Sequence, residues 1–367
     1  MNGGWKATHL LPRALLMLAL ASALLGGLGS GLARLGWQTD SLSQQWIMLH
    51  GPLMCLERAV ALSSRQSWSY AVPLINAAGT LALLIARDAI MGKVLITAGS
   101  VGLVLLFAIL LRLHPLRYMV VMTLGALAWV AGNVLWLAGF PLYQVVHLWT
   151  AFLLLTIVGE RLELSRVRQL TPKIENVLTI AIAIYLLGVA TTIFSLDAGI
   201  RLLGFGALLM AIWLLRYDIA RRTIRREGLA RFIAACLILG YFWLGVGGII
   251  GMWYGALYAG PVYAALLHAF LLGFVFSMIF GHAPIILPAV SGLRLDYKPL
   301  FYGHLILLHV TLLYRITSNL FLGFDAQQWG GMLNVITVLL FVVVTVIAVI
   351  QSNRNALPGS NFVTQKS

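Results

Sequence analysis

Residues 198–254 read AGIRLLGFGALLMAIWLLRYDIARRTIRREGLARFIAACLILGYFWLGVGGIIGMWY. Two apolar runs, 198–215 and 231–254, flank the strongly basic stretch RYDIARRTIRREGLAR (216–231). Each run approaches or exceeds the roughly 20 residues that cross about 30 Å of hydrocarbon. The stretch between them is far too charged to enter lipid. With no water to satisfy its backbone, a lipid-spanning run closes its hydrogen bonds within itself, as a helix. The unit is therefore membrane helix, basic loop, membrane helix.

Working outward, the same unit recurs. The spans are predicted at 13–35, 44–62, 68–86, 90–111, 118–139, 142–159, 175–196, 198–215, 231–254, 261–287, 299–322 and 330–350. The expectation is an all-α, polytopic transmembrane bundle of about twelve helices. It forms one domain over 1–351, followed by a polar, disordered cytoplasmic tail at 352–367. Composition agrees: 61% of residues are hydrophobic and 10% charged, with mean hydropathy +0.94. A soluble domain carries roughly 25% charge. Two spans invite a second reading. Lys6 and Arg13 ahead of LALASALLGG resemble a cleavable signal peptide. The second span is apolar only from Trp46 to Leu56, with Glu57 and Arg58 directly after it. It crosses by tilting or by snorkelling of Arg58.

The net charge of +14 would direct attention to nucleic acid in a soluble chain. Here the charges sit in short loops, and nucleic acid is excluded as a partner. With twelve spans and an internal N-terminus, inside segments hold twenty Lys and Arg, and outside segments hold four, Arg34, Arg87, Lys93 and Arg201. That asymmetry predicts cytoplasmic termini, and the expected location is a bacterial-type inner (plasma) membrane. The basic face is also suited to anionic lipid headgroups. Cys55 and Cys236 lie in apolar runs and do not form a disulfide framework.

Six of the eight histidines, His50, His147, His268, His282, His304 and His309, fall within predicted spans. Ionisable groups at that depth are costly and mark function. His50, His147 and His268 lie on spans two, six and ten, all running from outside to inside, each a few residues after its span begins. Three imidazoles at comparable depth on equivalently oriented helices are expected to face one interior. Neutral imidazole ligates haem iron and copper. The competing reading makes each a hydrogen-bonded packing residue. His282 and His304 lie nearer the cytoplasmic side and are expected to pair with each other or serve a proton path. His309, about 140° round the helix from His304, occupies a different face.

Arg315 lies in the outer half of span eleven. A buried arginine requires an anion, and no outer-half span carries a carboxylate. A cofactor carboxylate such as a haem propionate would suit it. The alternatives are snorkelling or pairing with Asp325. Asn133, Gln144 and Asn319 are candidates for hydrogen bonds between helices. LERAVALSSR (56–65) and GERLELSRVR (159–168) place Glu-Arg at the ends of two histidine-bearing spans, the pattern of an internally repeated bundle.

WIMLHGPLM (46–54) resembles the second helix of the haem–copper oxidase superfamily, whose histidine ligates low-spin haem. That likeness implies twelve spans in a pseudo-threefold set of four-helix repeats, with key histidines on helices two, six and ten. HAFLLGFVFSMIFGHAPIILP (268–288) resembles the NnrS family more closely, twelve-span haem-binding proteins linked to nitric oxide and nitrosative stress. Departures from the oxidases are plain: span seven lacks the copper-binding histidine pair, and span ten carries His268 without a second histidine two residues on. The resemblance implies a haem- or metal-binding protein of NnrS type. Its cofactor-binding residues would be His50, His147, His268 and Arg315, and its metal ligands His50, His268 and His309. The cofactor would be haem, of b type, or copper, and the partners membrane lipid and a redox partner or a second copy. The competing readings are a transporter or permease, with Pro284 and Pro288 breaking span ten, and a structural subunit without cofactor.

Overall fold

The computed structural model describes residues 10–37, 71–85 and 90–354. Among them every regular element is a helix. In order these are α1 (Leu10–Arg34), α2 (Ala71–Ile85), α3 (Ile90–Leu113), α4 (Arg117–Leu137), α5 (Leu142–Ser165), α6 (Pro172–Thr191) and α7 (Leu196–Tyr217). Then come the single turn α8 (Ala220–Thr223), α9 (Gly228–Tyr254), α10 (Gly260–His268), α11 (Ser277–Ser291), α12 (Phe301–Phe321) and α13 (Phe324–Arg354). A 3₁₀ turn, Arg166–Arg168, continues α5, and a π-helical segment, Ala269–Phe276, joins α10 to α11 in one rod.

Among the described residues nine helical stretches, the α10–α11 rod counted as one, are long and apolar enough to cross a membrane. The chain is a multi-pass helical membrane protein. Two predicted spans stand outside the nine. Helix α2 has 15 residues, and the hydropathy of α12 is lowered by His304, His309, Arg315 and Asn319. The expected second span, 44–62, with His50, lies outside the described residues, as does the expected tail beyond Arg354.

Two boundaries differ from expectation for the same reason: a polar residue is carried into a helix by a buried face. Helix α5 was expected to end at 159 but runs to Ser165, because Arg161, Leu162 and Ser165 are all buried. Helix α13 extends the expected 330–350 at both ends, and Ser352 in its last turn is buried.

The helices follow one another around a ring. Helices α1 to α5 pack in sequence; α7 packs closely on both α6 and α9; α9 packs on the π segment and α11; α12 packs on α10 and α13; and α13 returns to α1. Helix α5 lies inside, against α4, α6 and the π segment, and is buried almost all round. The outward faces are apolar: Leu105, Ile180, Leu187, Leu313 and Val343 are all exposed. Lipid is as apolar as these side chains, so close packing, not exclusion of water, holds the helices together. A Cβ at Gly204 on α7 would lie 2.6 Å from the Gly248 carbonyl oxygen on α9. Only a missing side chain permits that approach.

Cross-chain bonds define the two ends. At the basic end, Arg168 donates to the carbonyls of Tyr217 and Asp218, and the Arg294 amide donates to Asn353. At the far end, Arg201 donates to the Met252 carbonyl at 2.6 Å, and Trp37 donates to the Gln328 carbonyl at 3.3 Å.

Candidate functional site

His268 closes α10. Its Nδ1 lies 2.6 Å from the Ala264 carbonyl oxygen. A carbonyl only accepts, so Nδ1 carries the ring hydrogen, and Nε2 is the acceptor nitrogen of the neutral ring. This tautomer suits metal ligation, and a backbone carbonyl is a common orienting partner for such a histidine. The π segment begins at the next residue. π-helical turns are rare and concentrate at functional sites.

The π segment interlocks with α9 through two glycine–aromatic pairs. Phe270 lies on Gly247, and Trp243 lies on Gly273, where a Cβ would come within 2.4 Å of Trp243 Cβ. Trp243 also donates from Nε1 to His309 Nδ1 at 2.8 Å. Since Nδ1 accepts, Nε2 of the neutral ring carries the hydrogen. That Nε2 is buried and has no acceptor. In this arrangement His309 presents a hydrogen, not a lone pair, so the expected metal ligation by His309 does not fit it.

His147, near the far end of α5, is 1% exposed, and its Nε2 has no partner. Among the described residues, no three His, Cys, Asp or Glu side chains gather closely enough to hold a metal ion, so His147, His268 and His309 do not form a bare-metal triad. His50 lies outside the described residues.

Arg315 is 4% exposed and donates to the Gln327 carbonyl. Its stem lies on Gly330 and its guanidinium on Gly331, and its Nε is buried without an acceptor. Asp325 is exposed and makes no ion pair with it, so pairing with Asp325 is set aside. Of the other polar candidates, Asn133 accepts from Trp149 Nε1 at 3.0 Å, tying α4 to α5.

The expected pairing of His282 with His304 is not formed. His304 is 2% exposed, with neither ring nitrogen bonded. It sits among Phe280, Phe341 and Phe301, with ring centroids 5.0, 5.2 and 5.6 Å away. It is a packing histidine in an aromatic box. His282 instead lies 2.7 Å through Nδ1 from the Met278 carbonyl, and its Nε2 accepts from Arg161 at 3.3 Å. Arg161 also flanks Asp218, together with Arg168 and the Tyr241 hydroxyl. Asp218 is 1% exposed, and Oδ1 accepts from the Ala220 amide at 2.7 Å. Burial pushes its carboxyl above the usual carboxylate range, against the pull of that amide and of Arg161, Tyr241 and Arg168.

The family described as "Domain of unknown function (DUF8744)" matches residues 13–350. The chain belongs to the DUF8744 family. No curated protein and no solved structure matches it.

In this DUF8744 chain, sequence reasoning found the histidines and Arg315 but assigned Arg161 and Asp218 to loops. A signal for Arg161 was present. Leu162 continues the apolar pattern past it, so a helix ending at 159 leaves that residue unexplained. Asp218 was marked more faintly, as an acid in a stretch otherwise dominated by arginine.

Proposed function

We propose that the chain is a haem- or metal-binding integral membrane protein of NnrS type, concerned with nitric oxide or nitrosative stress, in which His268 would hold the iron. The observation that carries this reading is the His268 tautomer, with Nδ1 held on the Ala264 carbonyl at 2.6 Å, directly before the π segment. Haem fits the donors better than copper does. A copper ion is held by several protein donors at one point, whereas haem brings four nitrogens and requires one or two more. His147 Nε2 and the region around His50 are the candidates for a second position. When bound, haem supplies the redox or gas-binding chemistry. The chain's own residues do the rest. Ala264 orients His268, Leu266, Phe270 and Phe274 exclude water, and His309 offers a hydrogen from Nε2. Arg315 offers a cation for a propionate. In this reading the bundle has about twelve spans in repeated groups of four, and both termini are cytoplasmic in a bacterial inner membrane. The distribution of Lys and Arg supports that orientation.

The test is the visible spectrum of the full chain purified from haem-replete cells. A Soret band that His268→Ala removes, while the variant still inserts in the membrane, is the expected result. A colourless, metal-free protein overturns the proposal. A band that His268→Ala leaves unchanged overturns the ligand assignment.

A second reading, a transporter, is favoured by one observation. The rod of α10 and α11 carries both the π segment and two internal prolines, Pro284 and Pro288. Interrupted helices are a feature of transport sites.

A further inference from the structure

At the basic end, five elements bring polar side chains to one buried point: Arg161 from α5, Arg168 from the 3₁₀ turn, Asp218 from the end of α7, Tyr241 from α9 and His282 from α11. Four of their atoms are buried without a hydrogen bond of full geometry, Arg161 Nε, Arg168 Nε, Asp218 Oδ2 and the Tyr241 hydroxyl, although the hydroxyl lies near enough to Asp218 and Arg161 to interact with both. Two of these are donors, one is an acceptor and one is both. Buried groups of this kind are satisfied by protein or by water. Two donors, an acceptor and a hydroxyl gathered in one cluster suit bridging waters, since no single side chain answers all four.

We propose that this cluster is a proton-binding site, in which Asp218 takes up and releases a proton exchanged with bulk water at the basic end of the bundle. The step involves no electrons. A hydronium ion gives its proton to Asp218 Oδ2, the carboxylate becomes a carboxylic acid, and the return step reverses this. Arg161 connects the site to α11. One face of it neutralises Asp218, and the other donates to His282 Nε2, whose Nδ1 is committed to the Met278 carbonyl. Loss of the Asp218 charge frees Arg161, so protonation alters the bond that ties α5 to α11. Other charges lie further out. Glu160 is 4.0 Å from Arg161 with its side chain 35% exposed, and Arg221 and Arg222 on α8 are exposed. No metal and no haem enters this reading, which stands apart from the function proposed above.

The test is infrared titration of the full chain in neutral-lipid nanodiscs, following the carbonyl stretch of a protonated carboxyl. The expected result is a band that persists above the ordinary carboxylate range near about 4, shifts in D₂O, and disappears in Asp218→Asn. Arg161→Gln removes the attracting cation and should raise the band's midpoint by about one pH unit or more. Tyr241→Phe keeps the ring and should raise it as well, which preserves the test if Asp218→Asn does not fold. The proposal is overturned by the absence of any band above that range, by a band that does not exchange with D₂O, or by a midpoint that neither Arg161→Gln nor Tyr241→Phe moves.

Discussion

Replacing Arg315 by leucine separates two accounts of a buried cation. An arginine at the centre of a membrane helix costs about 2.5–3.5 kcal/mol on the mildest insertion scale. Arg315 lies nearer the far end of α12, so a cost of roughly 2 kcal/mol applies to it. It recovers about 1 kcal/mol from the bond to the Gln327 carbonyl, and nothing from a carboxylate among the described residues, with none of which it makes an ion pair. Leucine fills much of the same space against Gly330. Arg315→Leu should therefore make the cofactor-free protein more stable by about 1 kcal/mol, in line with buried charges replaced by apolar groups. The assay is reversible denaturant unfolding followed by tryptophan fluorescence, alongside haem content after reconstitution. Stability should rise while haem occupancy falls. A variant less stable than the parent by about 1 kcal/mol or more, with unchanged haem content, would show that the guanidinium clamps the start of α13, and would refute both the cost argument and the propionate role.

Three further outcomes are expected. Trp243→Phe removes the donor to His309 and leaves buried Nδ1 unpaired, at a cost of about 1–2 kcal/mol; in a His309→Phe background the cost should shrink, and a coupling energy of zero in the double-mutant cycle would contradict the bond. Gly204→Val places a side chain against the Gly248 carbonyl and should lower stability by about 1–3 kcal/mol, and thermal unfolding equal to that of the parent would contradict the α7–α9 contact. Asp218→Asn should flatten stability against pH. Because the folded carboxyl titrates above its unfolded counterpart, its stabilising contribution is complete below about pH 4 and is lost as pH rises through the folded midpoint. The parent should weaken upward from that point in melting scans, while the asparagine variant stays level and is the more stable at neutral pH; parallel profiles would contradict the burial argument.

The spans were legible because lipid imposes one rule on them: long apolar runs bounded by charge. What lay at the boundaries was not. Arg161 and Asp218 read as solvated loop residues because a charge beside an apolar run looks the same whether it faces water or turns inward. Their burial depends on which way α5 and α7 are rotated. The π segment left no trace either. AFLLGFVF is apolar at every position, so no change of period marks it. His304 and His282 illustrate the same point in reverse. Their depth was readable, but whether each faced a phenylalanine box or an arginine depended on neighbours far along the chain, Phe341 for one and Arg161 for the other.

The closed ring of helices has a consequence for how the chain is made. Most of its neighbours in space are neighbours in sequence, so each helix finds a partner almost as soon as it emerges, an arrangement that favours quick assembly. One seam is the exception. Among the described helices α1 emerges well before α13, and the two meet through the clasp in which Gln328 donates to the Leu35 carbonyl at 2.6 Å and Trp37 meets Trp329 edge-on. Until α13 is inserted the bundle is an open arc, and Arg315 on α12 lacks the carbonyl and the two glycines that enclose it. Insertion of α13 thus seals this arc and covers its buried cation in a single event, and a bundle caught before that step leaves a charge exposed for quality-control proteases to find.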